Sequence, residues 1–153
     1  MQLYDFLSMS GEFELFVPGR LCLFGEHSDW AGGHRRQNSD LEKGYAIVAQ
    51  TNQRIYAVVN RIDDKKLVVK STLDDKIFKI ELNKENLRRE AEKEGIFSYV
   101  AGVAYHVIDS YDVSGLEINN YLTTLPVKKG LSSSAAICVL TARAFNNAYG
   151  LKL

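Results

Sequence analysis

Apolar and polar residues change rhythm several times along the chain, and each rhythm predicts an element. Phe13 to Val17 and Leu21 to Phe24 are short apolar runs that predict strands, with Pro18-Gly19 between them as a chain-turning dipeptide. The stretch GEHSDWAGGHRRQNSDLEKG that follows is polar, carries four glycines and predicts a long loop. Tyr45 to Ala49 and Arg54 to Asn60 are rich in β-branched and aromatic residues. Lys66 to Ser71 and Lys76 to Glu81 then alternate, with Asp74-Asp75 as a turn between them. Taken together, these segments predict an antiparallel meander.

The period then lengthens. Asn86 to Glu94 is charged and helical in composition, and Phe97 to Ser110 places Val100, Val103, Ala104, Val107 and Ile108 on one helical face. Leu116 to Leu122 returns to alternation and predicts another strand. From Ser133 to Tyr149 the chain is alanine-rich, with Ile137, Leu140, Ala144 and Ala148 on one stripe and Gly150 as a C-terminal stop. Strands and helices in this order, around a mostly antiparallel sheet, predict an α+β fold.

At 153 residues the chain suits one domain with a real core. Lys plus Arg and Asp plus Glu are equal at 19 each, so no global field favours nucleic acid or an acidic membrane surface, and any phosphate binding must be local. The first residues, MQLYDFLSMSGEFELF, lack a basic region and an unbroken apolar run, and no segment approaches the roughly 20 apolar residues that cross a bilayer. The expectation is a soluble, cytoplasmic protein. Cys22 and Cys138 sit among apolar neighbours, which predicts buried packing thiols rather than ligands or nucleophiles.

Two strings carry chemistry. PVKKGLSSSAA, residues 126–136, runs a glycine and three serines into the alanine-rich helix. A helix start presents amides without intrahelical partners and about half a unit of positive charge. Small residues let phosphate oxygens approach, the hydroxyls of Ser132, Ser133 and Ser134 can donate or ligate Mg²⁺, and Lys128 and Lys129 add charge. The bland alternative is a set of ordinary serine N-caps. No G-x-x-x-x-G-K-[ST] string occurs, which excludes a P-loop NTPase. The other string, VPGRLCLFGEHSDWAGG at 17–33, gathers Arg20, Glu26, His27 and Asp29 around glycine-bearing turns. Carboxylates accept from paired hydroxyls and Arg clamps anions, so this set suits a polyol; the alternative is a solvated turn.

In this order and rough spacing, the two strings resemble the GHMP kinases, the group named for galactokinase, homoserine kinase, mevalonate kinase and phosphomevalonate kinase. PGRLCLFGEHSDWAGG is similar to the first motif of galactokinases, and PVKKGLSSSAA to the family's nucleotide-binding motif. Tyr99-Val100-Ala101-Gly102-Val103 is similar to a YVxGV stretch on a galactokinase helix. The resemblance implies a ribosomal protein S5 domain 2-like α+β domain spanning 1–153, with one left-handed βαβ crossover. It also implies a kinase moving the γ-phosphate of ATP to a sugar hydroxyl, with ATP, Mg²⁺ and a small sugar as partners. Lys128, Lys129, Gly130, Leu131, Ser132, Ser133 and Ser134 would wrap the phosphates, with Ser134 on Mg²⁺. Arg20 would steady the transition state, and Glu26, His27, Ser28 and Asp29 would hold the sugar.

The family's catalytic base, a second acidic Mg²⁺ ligand and the C-terminal domain have no counterpart in these residues, so the expectation is an N-terminal portion inactive by itself. Three departures bear on the substrate. Cys22 stands where galactokinases usually have Asn, Phe24 is also at home in mevalonate kinases, and His34 to Gly44 is a long link. Within that link Arg35 and Arg36 fit either a phosphate on the acceptor or a solvated face. Asp29 favours sugar over a mevalonate-like alcohol, and a non-catalytic sugar or nucleotide sensor is the competing class.

Overall fold

A computed structural model describes residues 11–26, 31–72, 75–127 and 129–153. Its elements are β1 (Phe13–Phe24), α1 (Ala31–Arg35), β2 (Ile47–Ile62), β3 (Lys66–Ser71), β4 (Ile77–Glu81), α2 (Lys84–Ala91), α3 (Ile96–Ser110), β5 (Gly115–Thr123) and α4 (Ser133–Tyr149). One five-stranded sheet runs in the order β1-β2-β5-β3-β4. Its pairs are antiparallel except β3 with β5, where Leu67 lies opposite Leu116 and Val69 opposite Ile118 in parallel register.

The mostly antiparallel α+β reading holds, but the meander does not. Strand β2 does not pair with β3; β5 enters between them after a crossover through β4, α2 and α3. Alternation in a strand shows which face is buried and is silent on which neighbour it will pair with. The two runs around Pro18-Gly19 form a single 12-residue strand, because β1 is a sheet edge and an edge position tolerates the missing proline N–H. The two runs at 45–60 likewise merge into β2, 16 residues long, with a register shift opposite Pro18 and Arg20. The polar segment read as loop contains the short helix α1.

One face of the sheet carries the core. Leu15 and Val17 of β1, Ala57 and Val59 of β2, Leu67 and Val69 of β3 and Leu116 and Ile118 of β5 are buried against Val100, Ala104 and Val107 of α3 and Ile137, Leu140 and Phe145 of α4. Truncating a fully buried Leu or Phe costs about 2–5 kcal/mol, so α4 is held firmly by Leu140 and Phe145. Gly102 brings α3 to within 3.9 Å of the Ala91 side chain, measured from where its own Cβ would stand, so α2 and α3 pack closely at the YVAGV segment. Helix α4 ends as its sequence predicts, with Gly150 left-handed at φ 64°.

The cysteines differ from expectation: both are half-buried rather than buried. Desolvation still pushes the Cys138 thiol up, which disfavours a nucleophilic thiolate. Among the described residues, no helix is long and apolar enough to cross a membrane.

Candidate functional site

The serine-rich string leaves the sheet at a fixed point. The Thr124 N–H donates to the Arg54 carbonyl at 2.9 Å, the Arg54 N–H donates to Thr124 Oγ1 at 2.9 Å, and Leu125 is sunk in the core. Beyond it the chain passes through Gly130 at φ +77° and Ser132 at φ 57°, ψ 44° before α4 begins. Left-handed backbone costs a non-glycine residue roughly 1–2 kcal/mol. Ser132 accepts the first helical bond, its carbonyl 2.9 Å from the Ala136 N–H, yet its side chain makes no cap hydrogen bond. Conventional serine capping therefore does not describe Ser132. The first-turn amides of α4 are left without that closure, on a backbone held in a strained shape.

A cavity of about 570 Å³ opens at this helix start. Gly130, Ser132, Ser133 and Ser134 form one side of it, Glu26 another, and Gly95, Ile96 and Tyr99 a third, with Val127 completing the wall. The volume lies in the range of small-ligand sites. The third side is also a helix start: Gly95 precedes α3 at φ 117° and provides no side-chain cap. Two helix N-termini without side-chain caps thus border the same cavity, and each brings about half a unit of positive charge. The chain is neutral overall, so this local field supplies what its composition does not.

The first string meets the second through backbone. Gly25 has φ +80°, and a Cβ there would lie 1.8 Å from the Tyr45 carbonyl oxygen, so only glycine can turn the end of β1 close enough for Glu26 to reach the cavity wall. Upstream, the Arg20 N–H donates to the Leu131 carbonyl at 3.2 Å. A Cβ on Gly19 would come within 2.5 Å of Leu125 Cδ1 and 2.7 Å of Thr51 Oγ1, which is how close the strand and the loop run.

Of the residues singled out from sequence, Glu26, Gly130, Ser132, Ser133 and Ser134 line one cavity. Leu131 is partly buried against the core and contributes its carbonyl to Arg20. The side chains of Arg20 and Lys129 are exposed and are not part of the cavity wall. His27, Ser28, Asp29 and Lys128 lie outside the described residues. Sequence reasoning did not single out Gly95, Ile96 or Val127 as site residues, and it took Tyr99 only as part of a motif. The signal was available at Tyr99, since YVAGV opens the helix that borders the cavity. No cluster of three or more His, Cys, Asp or Glu suited to a metal occurs among the described residues.

The GHMP kinases N terminal domain family matches residues 98–153, which include the serine string and the helix it starts. Galactokinase from Clostridium acetobutylicum is 32% identical over 152 residues, covering 90% of this chain, and that from Clostridium tetani is 32% identical over 164 residues, covering 95%. Residues 98–153 thus carry the GHMP kinase N-terminal domain, and similarity to galactokinases extends along most of the chain. Among solved structures, this GHMP domain is similar in fold to a Lactococcus lactis galactokinase complexed with galactose, with 23% identity and a TM-score of 0.70 over 98% of this chain and 37% of that one. Mevalonate kinase from Methanococcus jannaschii superposes with a TM-score of 0.66 at 21% identity, over 93% of this chain and 42% of that one. The fold is that of the family's N-terminal domain, the ribosomal protein S5 domain 2-like arrangement. The domain spans about a third of the length of the curated relatives it matches, 33% and 34% for the two clostridial proteins.

Proposed function

We propose that this GHMP domain supplies the nucleotide cradle and part of the acceptor site of an ATP-dependent sugar kinase of galactokinase type. The observation that carries the reading is the shared cavity: Glu26 of the first string faces the same space as Gly130 and Ser132–Ser134 of the second. Sequence similarity to galactokinases favours a sugar as the acceptor.

Phosphoryl transfer asks the protein mainly for positioning and for neutralisation of charge spreading over the γ-phosphate. In this proposal the open amides of α4, with Lys128 and Lys129, wrap the phosphates, and Arg20 stabilises the transferred group. Glu26, His27, Ser28 and Asp29 fix the sugar hydroxyl. Ser134, which lines the cavity, would hold Mg²⁺ through its hydroxyl, a hard oxygen donor suited to that ion. Bound there, the ion would add positive charge beside the transferred phosphoryl group. The general base and the remainder of the acceptor site belong, on this reading, to a C-terminal domain.

Calorimetry of this domain with Mg²⁺ and a non-hydrolysable ATP analogue, and activity of a galactokinase-length protein that contains it, test the reading. Expected are nucleotide binding by the domain, turnover with a hexose by the longer protein, and an Asp29→Ala variant that demands far more sugar but little more ATP. Mevalonate accepted over every sugar would replace the acceptor class. Binding of both ligands without turnover in the longer protein would replace the kinase with a sensor.

A further inference from the structure

Strand β1 lies at the edge of the sheet, and α4 and the loop that leads into it are each tied to it once. The carbonyl of Phe16 accepts a hydrogen bond from Arg143 Nη1 at 2.9 Å, and the N–H of Arg20 donates to the Leu131 carbonyl at 3.2 Å. The peptide groups of Phe16 and Arg20, four residues apart, point to the same side of the strand. Pro18 lies between them and has no N–H to leave bare there. The spacings agree as well. Four strand residues span about 13 Å, and the ten helical steps from Ser133, two residues past the Leu131 tie, to Arg143 rise about 15 Å. The helix, together with the two residues that lead into it, can therefore meet the strand at both ties at once, running in the opposite direction.

We propose that Arg143 is a positioning residue: by fastening the far part of α4 to Phe16, it holds the open start of that helix in register with the strand that carries Arg20. The inference rests on the proposed nucleotide site for its consequence but not for its geometry. Arg143 is exposed and sits three turns from the cavity, so its guanidinium touches no part of the nucleotide cradle. Its contribution is to the angle at which the Ser132–Ser134 amides meet a ligand approached from the β1 side.

The test compares Arg143→Met, which keeps length but cannot donate, with Arg143→Lys, which can. In the ligand-free chain, the Arg20 amide, about 13 Å along the strand from Phe16, whose tie the substitution removes, is expected to exchange its hydrogen roughly three- to tenfold faster in Arg143→Met. Amides of the β3–β4 pair should keep their wild-type rates, and Arg143→Lys should recover most of the protection. Affinity for the Mg²⁺-bound ATP analogue should fall by a similar factor in Arg143→Met and be regained in Arg143→Lys. An unchanged Arg20 amide, faster exchange throughout the sheet, or an unchanged nucleotide affinity despite a loosened Arg20 amide would each overturn the proposal. A wild-type chain that binds no nucleotide would instead sink the proposed function, with the exchange data still deciding whether Arg143 sets the register.

Discussion

Helices α2 and α4 begin in opposite ways. Before α2, Asn83 is extended at φ -129°, ψ 152°, and its side chain accepts from the Asn86 N–H at 2.8 Å, with Glu85 adding negative charge in the first turn. Before α4, Ser132 is left-handed, its hydroxyl makes no cap bond, and the first turn holds no acid. The same chain thus closes one helix end by ordinary means and keeps another open at a conformational cost. The closed end lies away from the cavity, whereas the open one forms its wall. On the proposed function, the contrast ties the strain at Ser132 to the cavity it borders.

The sharpest way to break that contrast is to give α4 the charge that α2 already has. Ser133→Asp places a carboxylate at an open helix start, where it stabilises the fold by about 0.3–1 kcal/mol but repels a triphosphate at close range. Nucleotide affinity measured by calorimetry should fall on the order of a hundredfold or more while the melting temperature holds or rises. A variant that loses both fold and affinity would undo the distinction.

Asn83→Ala works from the other side. Loss of its cap should cost about 1 kcal/mol in denaturant unfolding, with nucleotide affinity unchanged, because α2 is outside the cavity wall. Smaller still is Ser132→Gly. Glycine accepts the left-handed backbone freely but also loosens the unfolded chain, so a net gain of about 0.5 kcal/mol is expected. A loss instead would show that the Ser132 hydroxyl supports the fold after all.

Least in magnitude is a pH effect on the opposite face of the sheet. Tyr121 of β5 donates to Glu14 of β1, and that bond, reinforced by desolvation and the Glu14 charge, pushes the phenol up to about 12. A raised pKa here means the bond's stabilisation is whole below pH 10 and is lost as pH rises through about 12. Tyr121→Phe should therefore remove one late-titrating phenol from the ultraviolet titration and leave the cavity's nucleotide affinity alone.

Much of this architecture was legible in the residues, and the illegible part has a physical reason. The limits of α4 from Ser133 to Tyr149 and its stop at Gly150 follow from local helix physics, and the sequence carries that in full. That Gly130 to Ser134 would lead into an open helix start was legible for the same reason, since a run of small residues into a helix is a local arrangement. Pairing is not local: nothing in Leu116 to Leu122 says that this segment will part β2 from β3. Nor does Gly95-Ile96 announce that it will face the serine string some 35 residues later, because the crossover that brings them together depends on the packing of α3 against α4. Pro18 was misread as a turn because its meaning depends on whether its strand is central or at an edge.

The late arrival of β5 also shapes how the molecule assembles. Without that strand the β1–β2 and β3–β4 pairs would share no hydrogen-bonded edge, and each would present a flank of peptide groups to other partners. Joining them requires contacts between residues distant along the chain, such as Tyr56 with Leu122, which is the slow kind of step in folding. The serine loop springs from the end of that same strand. The wall of the cavity formed by Gly130 and Ser132–Ser134 therefore depends on the strand that closes the sheet.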